Sequence, residues 1–379
     1  MIEKTKHSRR KTVVSEVKIL IFGTNLFYLQ KLFSMNSRKS RRVSIKDIAK
    51  EVGVSPALVS FVLNGKQKQY RVSDQMAEKI REAVKRLDYK PNGFAKSLRE
   101  GTNNTIGVIV SDISNPFFAN VVKTIETTAE DRGYLALFAS SDENADKLAN
   151  LLDRMLSKEV EGVIVVPCEG SEDTIRTLID KRIPTVLLDR YIPELRTNYV
   201  CLDNKKAAHD ATEVLIKKGH NKIGLICYGL KLSNMKGRVD GYMEAMNNYG
   251  LKDEAKIIHV NMGSLETSCM KALNKLISEG YESIVCATNS ITVACLRGIQ
   301  ELRLNVPNDI DILGFDGGNE FDFYNAPLTF MTQPIEMIAK KSVDILINQL
   351  QSSEGYMTQI EAEGSIFVHT PPTINQTFN

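Results

Sequence analysis

Two sets of residues in this chain have the types and spacing to act on another molecule, and neither has the make-up of a catalytic centre. The first lies in the stretch 43–99, which opens VSIKDIAKEVGVSPALVSFVLNG and closes YKPNGFAKSLR. Its cations, among them Lys66, Lys68 and Arg71 in one loop, can grip phosphate oxygens, which adds affinity without sequence information. The second set is Asp112, Asn115, Asp189, Arg190, Asn289 and Asp316, each placed just after an apolar run. Carboxylates, planar amides and a forked guanidinium are groups that hydrogen-bond a polyhydroxylated ligand, and Phe117 and Phe118 can supply an apolar face. Plainer roles exist for the same residues. Asn115-Pro116 also reads as a helix cap followed by a first-turn proline, and Asp189-Arg190 as a local ion pair. The chain carries no G-x-S-x-G, H-E-x-x-H, G-x-x-x-x-G-K-S/T or G-x-G-x-x-G pattern, and its five histidines are dispersed. No catalytic residue, metal site or cofactor is therefore expected.

The elements that must position the first set are short helices. Ser44 can cap one, with Asp47 at capping-box spacing and Ile45, Ile48, Ala49 and Val52 on one face. Gly53 supplies a turn. Ser55 caps a second helix with Pro56 at its first position, Val59, Val62 and Leu63 form its buried side, and Asn64-Gly65 ends it. Ser73 caps a third, with Met76, Ile80, Val84 and Leu87 inward. Three such helices can bury one small core, and a tight turn before a polar helix start is a helix-turn-helix, a DNA-reading device.

Charge separates the chain into two parts. Residues 1–100 hold 23 Lys and Arg against 9 Asp and Glu, whereas the remaining residues hold 26 against 37. A basic head on an acidic body suggests that the head meets a polyanion and the body does not. At 379 residues two or three domains are expected. The six cysteines form no C-x-x-C pair and sit in apolar surroundings, so buried free thiols in a reducing compartment, the cytoplasm, are expected. Residues 1–42 form an extension. Its moderately apolar segment 17–33 is short and interrupted by polar residues, so neither a membrane anchor nor an export signal is expected. The preferred reading is a true start at Met35, with residues 1–34 untranslated; otherwise the extension is disordered.

At this point a family resemblance is visible. V-S-I-K-D-I-A-K-E-V-G-V-S-x-x-x-V-S-F-V-L-N-G and Y-K-P-N-x-x-A-K-S-L-R resemble the head of LacI/GalR-family bacterial transcription regulators. The resemblance continues through I-G-V-I-V-x-D-I-S-N-P-F-F, I-P-T-V-L-L-D-R, G-R-V-D-G-Y and V-P-N-D-I-D-I-L-G-F-D, covering roughly 43–372. It implies a helix-turn-helix domain at 43–90, a hinge helix and linker at 91–102, and an effector-binding, dimerising domain at 103–379. Position by position, it puts Pro56, Ala57 and Phe61 where the second helix reads bases in the major groove, with Ser55, Ser60 and Asn64 as polar neighbours. All three reading positions are apolar here, where many members carry polar groups. Apolar side chains can touch thymine methyls but cannot make bidentate contacts to G or A, which predicts an A·T-leaning half-site read partly through DNA shape. The resemblance also implies that Asn92, Ala95 and Lys96 belong to a hinge helix and that Leu98 wedges into the minor groove and kinks the duplex.

For the body, apolar runs at 106–110, 162–166, 186–188, 223–227, 284–287 and 310–315 alternate with helical stretches such as 117–132 and 205–218, predicting parallel sheets covered on both faces. The fold class is therefore α/β: a small all-α head before a two-lobed parallel core. The resemblance implies the periplasmic-sugar-binding-protein architecture, with lobe one at about 103–202 and 329–353, lobe two at about 203–327 and 355–379, and crossings near 202–204, 327–329 and 352–356. It points the Arg238 guanidinium and Asp316 into the cleft. Ser290 and Gly317-Gly318 depart from the acids common there. The implied function is a homodimeric, operator-binding transcription regulator, read as a repressor, controlled by a small effector of carbohydrate type. The alternatives are an exported sugar-binding protein, which the DNA-reading head argues against, and a ligand-independent DNA bender.

Overall fold

The structure is a computed structural model that describes residues 43–89, 103–317, 321, 324, 326, 328–351, 365–368 and 372–375. The extension at 1–42, the proposed start at Met35, and the hinge residues Asn92, Ala95, Lys96 and Leu98 lie outside the described residues, as do Gly318 and the expected crossing at 352–356.

The head contains α1 (Ile45–Val52), α2 (Pro56–Leu63) and α3 (Asp74–Arg86). Helix α1 starts where the sequence places it. The Asp47 carboxylate accepts from the Ser44 backbone N–H at 2.8 Å and from its hydroxyl at 2.6 Å, satisfying an end that the helix cannot satisfy itself. Gly53 ends it with φ +77°, a left-handed conformation that suits glycine. Ser73 Oγ accepts from Met76 N–H at 3.3 Å to start α3. The core is Ile48, Val59 and Ile80, all fully buried, with Ala49, Val62, Ala77, Ala83 and Tyr89. On α3 the deepest positions are Ala77, Ile80 and Ala83, while Met76, Val84 and Leu87 flank them. Two of the three most buried positions of α3 are alanines, which suits so small a core.

The body is built of two six-stranded sheets. The first half runs β1 (Thr105–Val110), α4 (Pro116–Asp131), β2 (Leu135–Ser140), α5 (Ala145–Leu156), β3 (Gly162–Val165), α6 (Glu172–Asp180), β4 (Thr185–Leu188) and β5 (Asn198–Leu202). The second runs α7 (Asn204–Lys217), β6 (Ile223–Tyr228), α8 (Ser233–Asn248), β7 (Lys256–Val260), α9 (Leu265–Ser278), β8 (Ser283–Cys286), α10 (Asn289–Glu301), β9 (Asp311–Phe315) and β10 (Leu328–Met331). Then come α11 (Ile335–Gln351), β11 (Ser365–Val368) and β12 (Pro372–Asn375). The sheet orders are β11-β5-β4-β3-β1-β2 and β12-β10-β9-β8-β6-β7, so the two lobes repeat one winding. Every pairing is parallel except β10 with β12, which is antiparallel. The inner strands are buried on both faces, as helix-covered parallel strands must be. Among the described residues, no helix is long and apolar enough to cross a membrane. All six cysteines are buried and free.

Two of the expected crossings move. The first stands: β5 ends at Leu202 in the first sheet, and α7 packs Ala207, Ala208 and Ala211 into the second lobe's core. β10 pairs with β9, so the chain is still in the second lobe at Met331. It returns only with α11, whose Ile338, Val343 and Leu346 join the first lobe's core. The crossing is thus at 332–334 rather than 327–329. β11 pairs with β5 of the first sheet, and β12 with β10 of the second, so residues 365–368, expected in lobe two, belong to the first sheet, and the last crossing lies between β11 and β12. A backbone ladder holds β10 and β11 in place, and apolar periodicity does not reveal which sheet a strand will join.

Candidate functional site

In the head, Pro56 and Ala57 are exposed on α2 and Phe61 is half-buried. The polar residues of the helix are largely occupied. Ser55 Oγ accepts from Leu58 N–H at 3.2 Å as the cap, and Asn64 Nδ2 donates to the Ser60 carbonyl at 2.6 Å and approaches its hydroxyl oxygen at 3.2 Å. Lys68 and Arg71 are exposed in the following loop, Arg71 with φ +53°. This face can offer apolar contact and cationic phosphate contact, and has little capacity for bidentate base recognition from α2 itself.

In the body, a cavity of about 400 Å³ lies beyond the carboxyl ends of the strands of both sheets, where open α/β sheets bind ligands. Asp112, Asn115, Phe117, Phe118, Asp189, Arg190, Arg238 and Asp316 all line it. Asn289 does not. It is buried at the first turn of α10 and donates from Nδ2 to the Asp316 carbonyl at 2.8 Å, so it positions the backbone of a lining residue. Asn115 caps α4, its Oδ1 accepting from Phe117 N–H at 3.0 Å, and lines the cavity as well. The two readings of that residue are compatible. Phe117 and Phe118 meet edge-to-face at 4.9 Å and form an apolar wall.

Arg190 and Asp189 do form an ion pair, at 3.2 Å, within a larger cluster. Glu143 holds the Arg190 guanidinium through both its oxygens, at 2.8 and 2.5 Å, Arg190 also donates to the Pro167 carbonyl at 3.1 Å, and Asn234 Nδ2 donates to Asp189 at 3.0 Å. Burial disfavours the Arg190 charge, but the Glu143 bonds outweigh it and its pKa lies above the ordinary value. Burial also pushes the Asp189 carboxyl above its ordinary value, against the pull of Arg190 and Arg238.

Arg238 lies inside α8, past its first turn. It is 2% exposed. Nε donates to Asn204 Oδ1 at 2.8 Å, Nη1 donates to the Ala287 carbonyl, and the guanidinium lies 4.1 Å over the Phe315 ring. Among the described residues Nη2 has no hydrogen-bond partner. Burial lowers the Arg238 pKa, with Asp316 and Asp189 pulling the other way. Glycines place this side chain. A Cβ at Gly241 would stand 2.0 Å from the Lys205 carbonyl, and one at Gly237 2.9 Å from Asn204 Cβ, so α8 can lie against α7 and bring Arg238 beside Asn204. Asp316, at φ +61°, accepts from Gln333 Nε2 at 2.7 Å.

The lining also contains Ser290, where the family commonly has an acid, and residues that the sequence pattern does not single out: Ser111, Asp142, Glu143, Tyr228, Leu230, Leu232, Asn234, Met235, Met262, Leu265 and Thr288. Asp142 and Glu143 follow β2, and Met262 and Leu265 follow β7. Both are edge strands, partly exposed and weakly patterned, and neither was read as a strand. The rule that found Asp112 after β1 would have found these residues once the strands were recognised. Five carboxylates and two guanidinium groups line the site: Asp112, Asp142, Glu143, Asp189 and Asp316 against Arg190 and Arg238.

Comparison with known proteins agrees with both halves. Residues 44–92 match the family described as bacterial regulatory proteins, lacI family, and residues 103–367 match periplasmic binding proteins and sugar binding domain of LacI family. Catabolite control protein A of Priestia megaterium is 33% identical over 307 residues, spanning 80% of this chain and 91% of that protein. The HTH-type transcriptional repressor PurR of Glaesserella parasuis serovar 5 (strain SH0165) is 29% identical over 313 residues, spanning 81% and 90%. The lac repressor dimer bound to operator and the anti-inducer ONPF is similar in fold, with a TM-score of 0.74 at 22% identity, covering 88% of this chain and 98% of that one. The family profiles match both head and body, and the chain belongs to the LacI family of bacterial regulatory proteins.

Proposed function

We propose that the protein is a cytoplasmic, homodimeric repressor that binds a pseudo-palindromic operator and is controlled by an uncharged, polyhydroxylated effector of carbohydrate type, with no catalytic activity. The observation that carries the effector half is the cavity itself, which brings an aromatic wall, amides, carboxylates and the unspent Nη2 of Arg238 to one place. Its charge narrows the class. Arg190 is already shared between Glu143 and Asp189, and five carboxylates face two guanidinium groups, so a phosphorylated ligand would meet net repulsion. A neutral sugar avoids that cost and uses the carboxylates as acceptors for its hydroxyls. A well-formed cavity also favours this reading over a ligand-independent DNA bender.

The dimer follows from the expected two-fold operator and is supported by the likeness to a repressor dimer on its operator. Ligand would act by changing the arrangement of the two lobes, and with it the free energy of operator binding. The test is a thermal-shift screen of the full chain against neutral mono- and oligosaccharides, amino sugars and sugar phosphates. A neutral sugar at 100 times its Kd should stabilise the protein by about 2.7 kcal/mol. Stabilisation by sugar phosphates alone refutes the charge argument, and silence across the whole panel refutes the effector reading.

A further inference from the structure

The reading helix is short of hydrogen-bonding groups, and its own polar side chains do not remedy this. Pro56 and Ala57 are apolar, Ser55 is occupied as a cap, and Asn64 is turned back onto Ser60. Nor is Phe61 a free apolar tip. The ring of Tyr70, from the loop that follows the helix, lies parallel over it, with centroids 3.6 Å apart and planes 1° apart. Tyr70 remains 47% exposed, and among the described residues its hydroxyl has no partner.

The loop is folded back rather than trailing. Lys66 N–H donates to the Phe61 carbonyl at 2.9 Å, Tyr70 N–H to Lys66 at 3.1 Å, and Val72 N–H to Gln67 at 2.8 Å. Lys66, Lys68 and Arg71 are exposed around it and, among the described residues, none has an ion-pair partner. A hydroxyl with no partner among the described residues, held on a two-ring stack in a loop that also carries three exposed cations, is a preorganised polar group beside a polyanion-binding face.

We propose that Tyr70 is a base-reading residue of the head. The Phe61–Tyr70 stack sets the phenol hydroxyl at a base edge in the major groove, while Lys66, Lys68 and Arg71 hold phosphates. A phenol both donates and accepts one hydrogen bond, so it supplies the discrimination that Pro56, Ala57 and Phe61 lack. The inference rests on the DNA-binding reading of the head and adds to it a residue outside the helix.

The test is selection of random-sequence duplex DNA by the full chain, its Tyr70→Phe variant and its Tyr70→Ala variant, followed by affinity measurements on the selected site and on random duplex. Tyr70→Phe keeps the stack. It should retain the affinity for random duplex, lose the preference at one base-pair position of each half-site, and bind the selected site about tenfold more weakly. Tyr70→Ala should lose the same preference. If both variants enrich the wild-type site with unchanged relative affinities, the proposal is overturned. A uniform drop on every sequence overturns it too, because that marks a phosphate contact. If the unaltered chain enriches no sequence, the DNA-reading function fails, and the role of Tyr70 fails with it.

Discussion

Arg190 lines the cavity with its charge already paired. Its guanidinium is spent on Glu143, Asp189 and the Pro167 carbonyl, so it anchors two carboxylates at the cavity wall. Removing one member of a buried pair strands the other. Glu143→Ala should therefore destabilise the protein by about 3 kcal/mol, read by denaturant unfolding of the body, and should weaken binding of whichever neutral sugar stabilises the unaltered chain. A change within 0.5 kcal/mol would show that Asp189 and Pro167 suffice. Arg238 acts differently, keeping Nη2 available while Asn204 and Ala287 fix its plane. Its place at the cavity was legible from the family motif G-R-V-D-G-Y, and so was that of Asp316. Glu143 was not, because it follows a strand with no clear pattern, and its partner Arg190 lies 47 residues further along the chain.

At the scale of elements, capping residues were the most legible signals. Ser44, Ser55, Ser73 and Asn115 all begin helices as their types and positions predict, because an unsatisfied helix start must find an acceptor locally. Ser55→Ala should cost the head about 1 kcal/mol, measured by thermal unfolding, and should reduce DNA binding only as far as α2 frays. Helix-to-helix closeness was not legible. Nothing in the local pattern announces that Gly241 touches α7, yet a methyl there would meet backbone, which cannot move aside cheaply. Gly241→Ala should cost about 3 kcal/mol or displace α8, and a loss of sugar binding in a still-folded protein would show that α8 had moved Arg238. Edge strands and the late crossings were missed for a related reason. β2 and β7 are partly exposed edge strands with weak patterns, and β11 and β12 are placed by pairing with β5 and β10, whereas β1, β3, β4, β6, β8 and β9 are announced by their own apolar runs.

The whole molecule joins a basic, three-helix head to an acidic body with two similarly wound lobes, and the cavity is lined by residues from both lobes. A ligand that touches Asp112 and Phe117 on one side and Arg238 and Asp316 on the other binds best to one arrangement of the lobes, which is the condition for shifting an equilibrium between two. The direction of the effect on DNA is a property of the assembled protein. Its existence is read from the Kd of the full chain for its selected operator duplex, with and without saturating amounts of the neutral sugar that stabilises it, at one fixed salt concentration. The operator Kd should shift by about 5- to 150-fold, with random duplex affected far less. An operator Kd that stays the same at saturating sugar would contradict that effect.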